Sequence, residues 1–265
     1  MKDYRIDYNG TDFLYAHTFT ENPQLHPRPF YMHAHNDYEL LFIVKGNLHY
    51  TIEGLTFPIR EGDLITIKPM SYHNLSLTAE GAYERFNIAL NKVAFNTDIV
   101  NEIFKKNGKS NLLSKPFFYQ WATRMDEIIL NYEEPDKSTA VKLLIQELLF
   151  WLKYNMSSLQ FLTNFSNNDV LSNALNYINN HLDSLQSVSE LAQNVFVSEP
   201  YLFHLFKKHL NTTPKMYIMQ KKMLQAERLI LEGERLKTVS EKVGYSDYSV
   251  FFKSYKKYFG RPPSK

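Results

Sequence analysis

The stretch Val239-Ser240-Glu241-Lys242-Val243-Gly244-Tyr245-Ser246-Asp247, continued by Ser249-Val250-Phe251-Phe252-Lys253-Ser254-Tyr255-Lys256-Lys257, restates a pattern already written about fifty residues earlier. The earlier copy reads Leu191-Ala192-Gln193-Asn194-Val195-Phe196-Val197-Ser198, then Tyr201-Leu202-Phe203-His204-Leu205-Phe206-Lys207-Lys208. Each copy has a short helix, a tight corner, a capping residue (Ser198 or Asp247) and a longer helix ending in lysines. Two helices joined in this way form a helix-turn-helix, whose second helix enters the major groove of DNA. Gly244 suits the positive φ that such a corner needs, and Phe196 holds the equivalent place in the first copy. Leu202, Leu205 and Phe206, like Phe251 and Tyr255, recur at helical spacing and are expected to face the core.

The positions between them are left for contact. They are Glu199, Pro200, Phe203, His204 and Lys207 on the first recognition helix, and Tyr248, Ser249, Phe252, Lys253 and Lys256 on the second. Lys253 can reach guanine O6 and N7, His204 a base acceptor or phosphate, and Phe203 and Phe252 thymine methyls. Lys207, Lys208, Lys256, Lys257 and Arg261 suit phosphate contact, or simply the negative end of a helix dipole. A straight helix from Pro214 to Glu232 would join the motifs rigidly and set the recognition helices about 34 Å apart, in successive major-groove segments.

Phe206-Lys207-Lys208, Ala226-Glu227-Arg228-Leu229, Gly244-Tyr245-Ser246-Asp247 and Tyr258-Phe259-Gly260-Arg261-Pro262-Pro263 resemble the AraC/XylS family of bacterial transcription regulators. The sequence departs from the family at Lys222-Met223, where Arg-Leu is usual, and at Pro200, which falls in the first turn if Ser198 is the cap. The resemblance implies double-stranded DNA as partner, with Phe203/His204 and Ser249/Lys253 reading bases. It also implies a small-molecule effector, and RNA polymerase as partner if the protein activates.

At 265 residues, with 44% hydrophobic and 22% charged residues, the chain has room for one large or two ordinary folded domains. No apolar run reaches the length of a membrane span, and Met1-Lys2-Asp3-Tyr4-Arg5 lacks the apolar core of a signal peptide, so a cytoplasmic location without membrane contact is expected. The absence of cysteine excludes disulfides and thiolate metal sites. The net charge of +2 conceals an asymmetry: from Val170 onward there are 14 Lys and Arg against 8 Asp and Glu, and before it 16 against 20. A basic half joined to an acidic half is the electrostatic footprint of a DNA reader attached to something else.

From Phe30 to about Asn91 the pattern is of short β segments: Glu39–Val44, Leu48–Ile52, Thr56–Ile59, Leu64–Ile67 and Glu84–Leu90, separated by Gly- and Pro-bearing turns. Strands of this kind predict a sandwich or barrel. Within them, His33-Ala34-His35-Asn36-Asp37-Tyr38-Glu39, with Gly46 and then Gly62 and His73, resembles the double motif of the cupins; the second half departs at Pro69-Met70-Ser71-Tyr72-His73. Histidines at i and i+2 on a strand point to one side, so His33 and His35 can both face a barrel interior. With Glu39 and His73 they can hold a divalent metal such as zinc, nickel, iron or manganese, or line a ligand pocket with no cofactor required. Tyr31, Tyr38, Tyr50 and Tyr72 can stack on a sugar face while Arg85 and Asn87 supply hydrogen bonds.

After Asn91 the spacing turns helical. Trp121, Met125, Ile128, Ile129 and Tyr132, then Val141, Leu144, Ile145, Leu148 and Leu152, define two amphipathic helices. By family resemblance the helices around 119–154 dimerise the protein. The fold expected is α+β in two domains. A cupin-like antiparallel β-barrel (jelly roll) with a helical hairpin spans 1–156, a polar linker 157–169, and an all-α domain with two helix-turn-helix motifs 170–265. The function expected is a non-enzymatic, sequence-specific transcription regulator sensing a sugar or sugar derivative. The rival reading is a metal-dependent cupin dioxygenase or isomerase with His33, His35, Glu39 and His73 as ligands.

Overall fold

The structure, a computed structural model, describes residues 3–22, 33–77, 81–95, 97–112, 116–155, 160–161 and 170–264. The chain opens with β1 (Tyr4–Asn9), β2 (Phe13–Thr20), β3 (Tyr38–Lys45), β4 (Leu48–Ile52), β5 (Leu55–Ile59), β6 (Asp63–Ile67), β7 (His73–Leu77) and β8 (Tyr83–Leu90). There follow α1 (Asp98–Ile103), β9 (Gly108–Asn111), α2 (Pro116–Asn131), α3 (Asp136–Asn155) and β10 (Gln160–Phe161). Among the described residues the strands form two antiparallel sheets, one in the order β1-β2-β8-β3-β6-β9-β10 and one in the order β5-β4-β7.

Side-chain alternation gives the larger sheet two different faces. Leu40 and Phe42 of β3, with Phe86, Ile88 and Leu90 of β8, pack under α1, α2 and α3 around Phe118, Trp121, Met125 and Leu148. Leu41 and Ile43 face the other way, against the small sheet, in an aliphatic core with Leu48, Ile52, Ile65 and Leu75. The register Leu41↔Asn87 and Ile43↔Arg85 puts Asn87 and Arg85 on this same inner face.

β1 and β2 precede the segment where the barrel was expected to begin, although the strict in-out alternation of Phe13 to Thr20 made β2 readable. β9, Gly-Lys-Ser-Asn, has no apolar side chain and exists through its pairing with β6. Gln160–Phe161 falls inside the expected linker and pairs antiparallel with β9, so part of that stretch returns to the sheet. The rest of 157–169, like Tyr31, lies outside the described residues.

The C-terminal part is helical: α4 (Val170–Asn180), α5 (Val188–Asn194), α6 (Glu199–Leu210), α7 (Pro214–Leu231), α8 (Leu236–Lys242) and α9 (Tyr248–Phe259). Ser198 caps α6 by accepting from the Tyr201 N–H, which places Pro200 in the first turn, and Asp247 caps α9 through Ser249 and Val250. The two corners match bond for bond. Phe196 N–H donates to Gln193 O and Val197 N–H to Ala192 O, as Gly244 donates to Glu241 O and Tyr245 to Ser240 O. Phe196 adopts φ +57 and Gly244 φ +75, so the first copy tolerates in a phenylalanine the left-handed backbone that the second gives to glycine. α7 serves both motifs: Tyr217 and Ile218 belong to the core of the first, Met223, Ala226, Leu229 and Ile230 to that of the second.

Gly244 is also a contact. A Cβ there would lie 2.1 Å from the Asp183 carbonyl oxygen, in the loop between α4 and α5. Beside it Lys222 donates to Leu185 O at 2.9 Å and lies 5.7 Å from the Tyr245 ring centre. The departure at Lys222 thus fastens one motif to the other. Gly244→Ala combines this clash with left-handed strain and is expected to destabilise the helical part by on the order of 2–4 kcal/mol, measured as a lower denaturation midpoint of the full chain.

A second tie joins α2 to the sheet. His17 Nδ1 lies 2.6 Å from Asp126 and Nε2 2.8 Å from Glu84, while Tyr15 and Tyr4 donate to the same carboxylates. Burial lowers the His17 pKa, but the two carboxylates outweigh it and raise it above 6.5. A raised folded pKa gives stability that is complete below the unfolded value and lost as pH climbs through the folded one. Stability is expected to decline as pH rises from about 6.5 through the raised folded value, and His17→Gln to flatten that slope in urea titrations at stepped pH.

Candidate nucleic-acid interface and ligand site

The recognition helices bury one stripe and expose the rest. Leu202, Phe206 and Leu210 of α6, and Phe251 and Tyr255 of α9, are buried, with Leu205 half-buried. Glu199, Pro200, Phe203, His204, Lys207 and Lys208 are exposed, as are Tyr248, Ser249, Lys253, Lys256 and Lys257. Phe252 is half-buried, its ring centre 6.3 Å from that of Tyr248, and so offers less surface than expected. Tyr201 and Val250, outside the expected set, are 47% and 53% exposed on the same two helices and enlarge the apolar part of the surface. Arg261 pairs with Glu227, which also accepts from the Tyr255 hydroxyl, and so ties the chain end to α7 while staying half exposed.

The inner face of the β domain gathers the second set. His33 pairs with His73 through reciprocal backbone hydrogen bonds of 3.0 and 2.8 Å. One ring nitrogen each of His33, His35 and His73 lies within 4.8 Å of the others. Glu39 is buried among them: its Oε2 is 2.9 Å from His35 Nε2 and 3.0 Å from His73 Nε2, and its Oε1 accepts from Asn87 at 2.8 Å. Burial would raise the Glu39 pKa, but the bonds and charge of the two imidazoles hold it well below the ordinary carboxylate range. Tyr50 stacks on His73 at 6.0 Å and is fully enclosed, which drives its hydroxyl pKa well up. Arg85 lies 5.7 Å from the Tyr83 ring centre; burial would lower its pKa, but the phenol of Tyr83 and the charge of Glu39 outweigh it.

Seven of the eight expected ligand residues therefore meet at one end of the inner face; the eighth, Tyr31, is not described. Two other tyrosines belong elsewhere. Tyr38 points to the helical side of the sheet and donates to Asn101, because on β3 it alternates with Glu39. Tyr72 leaves the β domain and joins the core of the first helix-turn-helix, its ring 5.2 Å from that of Tyr217.

Two family models match the chain: an AraC-like ligand binding domain over residues 25–152 and a helix-turn-helix domain over 191–265. The chain belongs to the AraC family of transcription regulators. It is 28% identical over 238 residues to the Msm operon regulatory protein of Streptococcus mutans, covering 87% of this chain and 84% of that one. It is 32% identical over 95 residues to the transcriptional regulatory protein HptR of Staphylococcus aureus, covering 33% of this chain and 38% of the relative. A crystal structure of Vibrio cholerae ToxT with bound unsaturated fatty acid aligns over 97% of this chain and 95% of its own, at 13% identity and a TM-score of 0.40. The protein is a DNA-binding regulator with a ligand-binding domain, and its curated relatives are regulators, so the metal-dependent enzyme reading gives way.

Sequence reasoning missed how the AraC-type halves are joined. Glu53, at the hairpin between β4 and β5 with φ +49, accepts from Tyr72 N–H at 2.8 Å, from Lys221 Nζ at 2.8 Å and from the Tyr217 hydroxyl. Lys221 also donates to Met70 O at 2.5 Å, and Asn36 Nδ2 to Leu224 O at 2.9 Å. Lysine on the buried side of a helix was the available signal: Lys221 is 3% exposed.

Lys253→Ala is expected to cost roughly 1–3 kcal/mol and relax preference at one base pair, whereas Lys256→Ala weakens all sequences alike. Competition binding on specific and random duplexes checks both; equal losses on the two DNAs for both variants would contradict the assignment.

Proposed function

We propose that this regulator senses a sugar or sugar derivative at the polar end of its β domain and transmits occupancy to the DNA-binding helices through α7. One observation carries the reading. The segment His33-Ala34-His35-Asn36 gives its histidines to the Glu39 cluster, while Ala34 packs with the first helix-turn-helix core and Asn36 bonds α7. A ligand displacing the histidine side acts on the same few residues that touch the reader. It shifts the equilibrium by its difference in affinity for the two arrangements.

Glu39, Asn87, Arg85 and the histidines supply donors and acceptors for hydroxyls, and Tyr50 an aromatic wall. The same His33, His35, His73 and Glu39 are donors of the type that zinc, nickel, iron or manganese takes; the spacing of the three histidines permits it, and Glu39 lies 2.9 and 3.0 Å from two of them. A metal held there would supply a charge to anchor hydroxyls. Glu39 Oε2 already lies 2.9 Å from His35 Nε2 and 3.0 Å from His73 Nε2, and the proposed sensing needs no metal.

The domain limits proposed are 1–156 for sensing, 157–169 for a linker whose Gln160–Phe161 rejoins the sensing sheet, and 170–265 for DNA. A homodimer through α2 and α3 is supported by Leu143, Phe150 and Tyr154, which lie along one exposed side of α3 and are 61%, 53% and 74% exposed. Two such chains, each with paired recognition helices, suit repeated half-sites in bacterial chromosomal DNA. That assigns the protein to the cytoplasm, with RNA polymerase as partner if it activates.

Fluorescence titration with neutral sugars is expected to show saturable binding that Arg85→Ala or Asn87→Ala weakens about tenfold, the loss of one hydrogen bond, and that EDTA leaves unchanged. Glu53→Gln is expected to retain sugar binding but lose its effect on operator affinity. Absence of any sugar binding, or full coupling in Glu53→Gln, contradicts the reading.

A further inference from the structure

Among the described residues the two sheets end on β1, β10, β5 and β7. Three of these edges are closed to further pairing. β10 is two residues long, β5 carries Pro58, which has no N–H to offer, and β7 is met by the reciprocal bonds of His33 with His73. β1 is different: six residues, Tyr-Arg-Ile-Asp-Tyr-Asn, with no Pro, Gly or bulge, paired with β2 on one side only. Gly10 N–H donates to Phe13 O, so these two stand opposite one another as a hydrogen-bonded pair and the ladder alternates from there. Tyr4, Ile6 and Tyr8 therefore turn their backbone groups towards β2, and Arg5, Asp7 and Asn9 turn theirs outward.

An antiparallel ladder joins outward-facing residues only to outward-facing ones, so a two-fold axis relating two β1 strands must pass through a residue of the strand. An axis at Arg5 sets Arg5 against itself and Asp7 against the partner's Asp3; an axis at Asp7 sets Asp7 against itself. An axis at Ile6 sets Arg5 against the partner's Asp7 and Asp7 against the partner's Arg5, both as hydrogen-bonded pairs of opposite charge. On the half-buried face, which packs on the core under the helices, Ile6 then meets the partner's Ile6, and Tyr4 the partner's Tyr8. Within one chain Arg5 Nε already lies 3.8 Å from Asp7 Oδ2, the two side chains being 59% and 39% exposed. Pairing at Ile6 does not break that contact. It joins two such pairs into a ring of alternating charge, the networked arrangement in which exposed ion pairs contribute most.

We infer that the outer edge of β1 is a docking surface for the β1 edge of a second copy of this chain, in the one register centred on Ile6. The product is a single antiparallel sheet running through two β domains. The charge order of the strand selects the occupant, because it is complementary to itself read backwards. This surface is separate from the exposed side of α3 that carries Leu143, Phe150 and Tyr154, and it does not depend on what the histidine end of the β domain binds. A short strand edge buries less than a standard interface, so the association belongs to the weak, reversible class.

Sedimentation equilibrium of the full chain carrying Phe150→Glu, which sets like charges against one another on the α3 side, tests it. Concentration-dependent dimers are expected in that background. Arg5→Asp sets acid against acid and Asp7→Arg base against base, so each is expected to weaken self-association about tenfold. Mixed in equal amounts, these two variants are expected to pair with each other, and the double exchange Arg5→Asp with Asp7→Arg to associate as the parent does. Asp7→Pro removes an N–H that faces away from β2, so it should keep the circular dichroism of the parent while abolishing the dimer. Three results would overturn the proposal: no self-association of the Phe150→Glu chain up to about 0.1 mM, dimers that survive Asp7→Pro, or a double exchange no better than the single variants.

Discussion

The Glu53 carboxylate is the constraint around which the two halves of the molecule are arranged. It sits on a hairpin of the small sheet, yet its partners Tyr217 and Lys221 are on α7. A carboxylate and an ammonium removed from water are tolerable only when each is fully partnered, and breaking one such pair strands the other charge. Glu53 meets this with the Tyr72 N–H and Lys221 with the Met70 carbonyl. The hairpin, the turn before β7 and the helix shared by both DNA-binding motifs are thereby held as a unit. Any change that separates the domains must rehydrate both charges, which makes this contact all-or-none rather than elastic.

A second buried carboxylate organises the histidine end of the β domain by the same logic. Glu39 on β3 is surrounded by His35, His73 and Asn87, drawn from three separate stretches of chain. The two acids are linked by short paths. Met70 N–H donates to His35 O, and Lys221 holds the Met70 carbonyl. His73 Nδ1 is 2.8 Å from Ser71 O. Met70 itself has φ +66, so the turn Pro69-Met70-Ser71 stands between the two clusters in a backbone state few residues adopt readily. The histidine cluster and the contact with the DNA-binding helices thus share a turn.

What could be read beforehand follows from which forces are local. The caps Ser198 and Asp247, the corner at Gly244 and the buried stripes of α6 and α9 are decided within a few residues, and the structure has them where the spacing put them. β4 matches residue for residue because both its turns carry strong punctuation. β9 was invisible, since its conformation is imposed by β6. Of the pocket residues, Glu39 on β3 and Arg85 and Asn87 on β8 were legible from period two, whereas His33 and His35 precede β3, outside a regular strand, and were legible only from their motif. Tyr38 and Tyr72 were not, because an aromatic ring suits either face of a strand and only register with distant neighbours decides which. The Glu53 contact spans residues 164 and 168 positions apart in sequence and left no local trace except a buried lysine.

The central claim, a sequence-specific DNA reader under the control of an attached ligand-binding domain, is tested most directly by a salt series. Binding of the full chain to the DNA upstream of its own coding region is compared with binding to random duplex. The account predicts affinity that falls steeply and linearly in the logarithm of salt on both DNAs, from phosphate neutralisation, with a clear preference for the upstream sequence at every salt concentration. A shallow slope with no preference would contradict it and leave the twin helix-turn-helix as a structural repeat.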